Sequence, residues 1–98
     1  MNLNEFQEQA YKTAIYFNKG SNLIYPTLGL AGEVGEVVEI VKKVYRTEGP
    51  FDPKIKLEIV KELGDVLWYC AMLAKEAGYT LEDVAMLNVL KLKERYKL

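Results

Sequence analysis

The chain has 98 residues, half of them apolar and 28% charged, with thirteen basic against fourteen acidic side chains for a net charge of −1. This is the composition of an ordinary globular chain, read as one domain over residues 1–98, and it supplies no global positive field for a nucleic-acid polymer. Histidine is absent, which removes Ser-His-Asp and Cys-His nucleophilic machinery together with histidine-based zinc and di-iron sites.

The opening MNLNEFQEQ is polar and acidic, unlike a secretion signal or a basic transit peptide. Phe6, Ala10, Ala14 and Phe17 follow at spacings of four, four and three, which predicts a first helix with one apolar face. The cluster Asn18–Asn22 ends it. The longest uncharged stretch, Gly20 to Gly32, contains Pro26 and falls short of the ~18 apolar residues that suggest a membrane span. No membrane partner is expected.

From Pro26 and Thr27 a second helix is predicted to about Arg46, with Leu30, Val34, Val37, Val41 and Val44 along one side. Gly29, Gly32 and Gly35 lie inside it, each costing ~1 kcal/mol relative to alanine. Close helix packing or room for a ligand would offset that. Gly49 and Pro50 break the chain, and Asp52-Pro53 restarts it with an N-cap acceptor and the residue suited to the first turn.

The third helix is predicted to reach about Ala77, before Gly78; its twenty-five residues would span ~38 Å, long enough to protrude and meet a partner. It carries the one cysteine, Cys70, which cannot close an intrachain disulfide and reads as a small buried apolar group. Thr80 and Asp83 form a capping-box pattern for a fourth helix to about Tyr96. The fold class is therefore all-α, a four-helix bundle-type core. A chain this short hides only about 60–70% of its unfolded surface, so pairing with a second copy would add stability.

Two carboxylate pairs stand out. Glu33 and Glu36 lie three apart on the second helix, Glu62 and Asp65 three apart on the third, so each pair shares a face. Both are embedded in apolar sequence, LGLAGEVGEVVEIV and IVKELGDVLWYCAML, which implies at least half burial. If the two helices are antiparallel neighbours, four carboxylates converge, and only cations or shared protons make that tolerable. Oxygen-only donors point to Mg²⁺, with Mn²⁺ as a substitute. The competing reading is two solvated acidic faces.

Asn88, Lys91 and Arg95 line one face of the fourth helix, and Lys54 and Lys61 lie in the first part of the third. Cations facing a metal-loaded carboxylate cluster suit a polyphosphate; a solvated basic face near a helix end is the plainer alternative. Trp68, Tyr69 and Phe17 could stack on a base or sugar. Trp68 reads first as core, whereas Tyr69, four residues after Asp65, lies one turn along the acidic face.

With Glu33-x-x-Glu36 in LGLAGEVGEVVE, Glu62-x-x-Asp65 in ELGDVLWYCAMLA, and the ending NVLKLKERY, the sequence resembles the MazG-like nucleotide pyrophosphohydrolases, a branch of the all-α NTP pyrophosphatase superfamily. The resemblance covers roughly Thr27 to Tyr96 and extends toward the first helix. It implies a helical core that forms homodimers or homotetramers, and Mg²⁺-dependent hydrolysis of a nucleoside triphosphate, a dNTP for preference, to monophosphate and pyrophosphate. Carried over, Glu33, Glu36, Glu62 and Asp65 would hold the metal; on chemical grounds one of these carboxylates, with Glu36 as the candidate, would orient the attacking water and take its proton. Lys61, Asn88, Lys91 and Arg95 would bind phosphates, with Lys54 and Trp68 as further substrate contacts, and Tyr69 would pack on the sugar.

Two departures matter. Gly32 stands where many relatives carry an extra acid, so Glu39 or Glu58 would have to substitute for it. The histidine that deoxycytidine-preferring relatives place near the base is missing, so no base preference carries over. The implied role is cleaning or adjusting a nucleotide pool in the cytoplasm of a bacterial or archaeal cell or a virus-infected host. The alternatives are a phosphoribosyl-ATP pyrophosphohydrolase and a non-catalytic helical dimerisation module.

Overall fold

The computed structural model describes residues 1–98 and contains four helices and no strand: α1 Leu3–Lys12, α2 Ile24–Arg46, α3 Pro53–Glu76 and α4 Leu81–Tyr96. The local signals account for most of the boundaries. The Asp52 side chain accepts from the Ile55 N–H at 2.9 Å, with Pro53 opening α3. The Thr80 hydroxyl accepts from the Asp83 N–H at 3.1 Å while the Asp83 carboxylate accepts from the Thr80 N–H at 3.0 Å, so the shorter acid completes the capping box. Gly78 takes the left-handed conformation just beyond α3, at φ 86°.

Two boundaries differ from the periodicity. α1 stops at Lys12 rather than continuing to Phe17. The Thr13 N–H and hydroxyl both close on the Ala10 carbonyl, at 2.9 and 2.6 Å, and tighten the last turn. Ala14 is still buried, but from the connection, and Phe17 is 82% exposed. α2 begins at Ile24, two residues ahead of Pro26, because the Asn22 side chain accepts from the Ile24 and Tyr25 N–H groups at 3.1 and 3.0 Å. Pro26, which has no N–H to satisfy, is tolerated in that first turn.

The core sits at one end. Ala10, Ala14, Ala71, Met72 and Leu81 form it, flanked by Phe6, Tyr11, Tyr16, Trp68 and Cys70. Gln7 is buried within it and bridges three elements: its amide donates to the carbonyls of Ala71 and Tyr79 at 3.0 and 3.2 Å and accepts from the Leu81 N–H at 3.2 Å.

α2 packs against α3 and touches neither α1 nor α4. The α2–α3 hairpin therefore extends from the core as an arm, and the 24 residues of α3, ~36 Å long, belong to both regions. Only 9 of 98 residues are buried, and the radius of gyration is 15.9 Å against about 13 Å for a compact chain of this size. Leu30, Val37 and Val44 of the predicted stripe turn toward α3, whereas Val34, Val38 and Val41 on α2 and Leu57, Val60 and Leu63 on α3 are left exposed.

Candidate functional site

α2 comes close to α3 at a position where it has no side chain. Gly29 lies against the Tyr69 ring, and a Cβ there would fall 2.7 Å from Tyr69 Cδ1 and overlap the rest of the ring edge. Close helix packing, not ligand space, thus explains this glycine. Gly32 and Gly35 face open surroundings instead.

One turn along from Gly29, Glu33 faces Glu62 and Asp65 across the helix pair, and one carboxylate oxygen from each lies within 4.8 Å of the others. Glu36 is not part of that triplet, but its charge is felt at Glu62. Partial burial, then Asp65, Glu33 and Glu36, push the Glu62 carboxyl above the ordinary carboxylate range. Glu33 and Glu62 are half-buried; Glu36 and Asp65 are exposed. The expected half burial therefore holds for one acid of each pair, because the apolar neighbours in both motifs include residues on the uncovered faces of the arm.

No lysine or arginine pairs with these four acids; the chain's one salt bridge joins Lys42 to Glu39 at 2.9 Å. Glu39 is thereby engaged elsewhere, and Glu58 is exposed outside the cluster. Converging like charges without a counter-charge would raise the affinity for a cation. Glu33, Glu62 and Asp65 bring their oxygens close enough together that they would hold one small hard cation between them. The donor set fits: oxygens alone, with no imidazole or thiolate near.

A cleft of about 250 Å³ opens beside the acids, lined by Glu33, Asp65, Trp68 and Tyr69. Trp68 meets Tyr69 edge-on at 4.8 Å and 77°, and its Nε1 donates to the Thr13 hydroxyl oxygen at 2.9 Å. Trp68 is thus both core-flanking and site-lining. The Tyr69 hydroxyl is pushed up to about 12 by the Tyr25 hydroxyl beside it, by partial burial, and by the Glu33 and Asp65 charges. Phe17 lies outside this cleft.

The predicted cations are placed differently. Lys61 is exposed next to Glu62 in sequence, and Lys54 is exposed in the first turn of α3, about 16 Å along the axis from Asp65. Asn88 and Lys91 line a separate groove with Leu73, Ala74, Ala77 and Tyr79. Arg95 is exposed near the end of α4. Within one chain, no ion pair brings these groups to the acids.

Three side chains around the cleft were not anticipated: Thr13, Tyr16 and Tyr25. Glu76, one further along α3, was not anticipated either. Tyr25, Gly29, Glu33 and Glu36 follow at four, four and three, as do Asp65, Tyr69, Leu73 and Glu76. The same helical spacing that pairs the acids could have extended the face to Tyr25 and Glu76.

Residues 25–98 match the MazG nucleotide pyrophosphohydrolase domain, and the chain belongs to that family. It is also 38% identical to the Gene 37 protein of Mycobacterium phage L5, over 97% of this chain and 89% of that protein. No solved structure matches it. The family match starts within α2, so α1 and the whole of the following connection lie outside it. No helix is long and apolar enough to cross a membrane.

Proposed function

We propose that the protein is a Mg²⁺-dependent nucleoside triphosphate pyrophosphohydrolase that cleaves the α–β phosphate bond of NTPs or dNTPs and releases the monophosphate and pyrophosphate. The observation that carries this reading is the convergence of Glu33, Glu62 and Asp65, with Glu36 adjoining, and no cation of the chain paired to them.

Glu33, Glu62 and Asp65 would hold the metal, with Glu36 able to join them. The bound cation supplies charge compensation for the triphosphate and Lewis acidity toward its phosphoryl oxygens. Glu36, the most weakly committed of the four, orients a water against the α-phosphorus and takes its proton as the water oxygen bonds to phosphorus. The bond from that phosphorus to the bridging oxygen breaks, and the electron pair leaves with pyrophosphate. Tyr69 packs on the sugar and Trp68 borders the cleft.

Phosphate binding by Lys61, Asn88, Lys91 and Arg95, with Lys54 further out, fits a homodimer or homotetramer. In one chain α4 stays clear of α2, and the exposed stripes Val34–Val38–Val41 and Leu57–Val60–Leu63 are surfaces a second copy would cover. The setting proposed is the cytoplasmic nucleotide pool, with Mn²⁺ able to replace Mg²⁺.

Thermal melting with and without Mg²⁺ tests the metal role, since a ligand bound by the native state raises stability. The expected result is a Mg²⁺-dependent rise in Tm that Asp65→Asn abolishes. The absence of any rise, together with the absence of triphosphate turnover, would favour a helical dimerisation module. For Glu36 the readout is turnover at saturating Mg²⁺: near-normal rates in Glu36→Gln would remove it as the base.

A further inference from the structure

The first part of the connection between α1 and α2 is held to α3 by Ala14 in the core and by the Trp68–Thr13 hydrogen bond. Its second part, residues 16–22, is held by the side chain of Glu76. Glu76, the last residue of α3, accepts from the Tyr16 hydroxyl at 2.8 Å, from the Gly20 N–H at 2.6 Å and from the Asn22 N–H at 2.9 Å. No cation pairs with it. Partial burial alone would raise its carboxyl; the N–H donors of Asn22 and Gly20 and the Tyr16 hydroxyl outweigh that and hold it below the ordinary range. The segment it grips turns through Asn18 and Gly20 at φ 52° and 98°, so donors from Tyr16, Gly20 and Asn22 reach the one carboxylate.

Two routes lead from this anchor to the cleft. The Tyr16 ring stacks on Tyr25, with centroids 4.8 Å apart and planes within 19°. Asn22, whose N–H is spent on Glu76, turns its side-chain oxygen to the Tyr25 N–H at 3.0 Å and so sets the first turn of α2. Tyr25 in turn lies 6.2 Å from the Tyr69 ring at 48°. Tyr69 is trapped on its other side by Gly29 and lines the cleft with Glu33 and Asp65. Glu76 itself stands eleven residues beyond Asp65, about 16 Å along α3, too far to touch what the carboxylates hold.

We infer that Glu76 is a positioning residue: by fastening residues 16–22 to the end of α3 it fixes Tyr69, through Tyr16, Asn22 and Tyr25, as the nucleotide-contacting wall of the carboxylate cleft. This rests on the reading of Tyr69 as a substrate contact. The acids are held by the arm and do not depend on the anchor, so Glu76 governs nucleotide binding and leaves metal binding alone.

The experiment is steady-state kinetics on Glu76→Ala, Glu76→Gln, Tyr16→Phe and Tyr69→Ala with the best NTP and Mg²⁺, alongside the emission of Trp68. Trp68 is the only tryptophan and touches Tyr69, so it reports the wall without any nucleotide. Glu76→Ala is expected to raise KM about tenfold with kcat within about twofold, the pattern of lost uniform binding. It should also shift the Trp68 emission and keep the Mg²⁺-induced rise in Tm. Glu76→Gln keeps one acceptor oxygen and recovers part of the KM; Tyr16→Phe keeps the stack, shows a smaller shift, and adds nothing when combined with Glu76→Ala.

Should Glu76→Ala not fold, Glu76→Gln and Tyr16→Phe carry the same test. A normal KM and unchanged emission in the Glu76 and Tyr16 variants, beside a raised KM in Tyr69→Ala, would overturn the positioning role while leaving Tyr69 as a substrate contact. A lowered Tm with KM and emission untouched below it would reduce Glu76 to a staple. A normal KM in Tyr69→Ala itself would remove the premise, whatever the Glu76 variants do.

Discussion

The two halves of the molecule are built on opposite terms. At the base, where α1, the second half of α3 and the start of α4 meet, Met72 and Ala71 are fully buried and every polar group of the Gln7 side chain is paired. In the arm, apolar stripes are exposed and three carboxylates converge, with Glu36 adjoining, and no lysine or arginine pairs with them. At the base every buried side-chain polar atom finds its partner within the chain, although α4 also leaves Val84, Met86, Leu87 and Leu90 exposed. The arm is incomplete by itself in charge and in apolar cover, and it lies almost wholly within the residues that match the family, as does α4.

The contrast can be broken most sharply at the carboxylates. Asp65→Asn should lower turnover by more than about 100-fold, since even groups one layer behind a metal ligand cost 10–100-fold. It should leave the metal-free Tm unchanged or higher, because it relieves repulsion within the cluster. A metal-free Tm that fell with activity would mean that the acids support the fold.

At the base the effects should fall on stability. Met72→Ala is expected to cost about 2–5 kcal/mol, and Gln7→Ala about 1–3 kcal/mol for the backbone groups it strands, both read by denaturant melts. Val38→Ser on the arm should leave the melt of a dilute single chain nearly unchanged and weaken self-association, measurable by sedimentation. Gly29→Ala joins the regions: the added methyl must displace Tyr69, costing about 1–3 kcal/mol by overpacking and raising KM for the nucleotide.

The smallest expected effect is on pH dependence, and its sign differs between the regions. Glu76 at the base is held below the ordinary carboxylate range. Its contribution is therefore present above the unfolded-state pKa and lost as pH falls through the lower folded value. Glu62 in the arm is raised: in the metal-free protein, the contribution of its protonated form is present below the unfolded-state pKa and lost as pH rises through the folded one. Both groups keep contact with solvent, whose screening leaves each a small fraction of the total. Acid titration of Tm should lose part of its slope in Glu76→Gln, while Glu62→Gln should hold or raise the metal-free Tm at neutral pH.

Much of this was readable from local chemistry. Asp52-Pro53 and the Thr80–Asp83 pair announce their helices because caps are satisfied within a few residues. The acid pairs were legible because three-residue spacing fixes a common face on each helix and short connections favour antiparallel neighbours. The end of α1 was not. Ala14 is as buried as a helical residue would be, so its spacing mimics another turn, and the Thr13 hydroxyl that closes the helix gives no periodic signal. The role of Glu76 was hidden for a different reason: its three donors come from a connection 54 to 60 residues away in sequence, and only the packed fold brings them together. Burial of the acids was overestimated because apolar neighbours on a helix need not face inward when the chain leaves one side of an arm uncovered.

Product analysis tests the central claim most directly. The protein would be incubated with each common NTP and dNTP and Mg²⁺, with Asp65→Asn alongside, and monophosphate plus pyrophosphate separated from diphosphate plus phosphate. The account predicts monophosphate and pyrophosphate in equal amounts, lost in Asp65→Asn. Diphosphate and phosphate as products, or full turnover in Asp65→Asn, would contradict it.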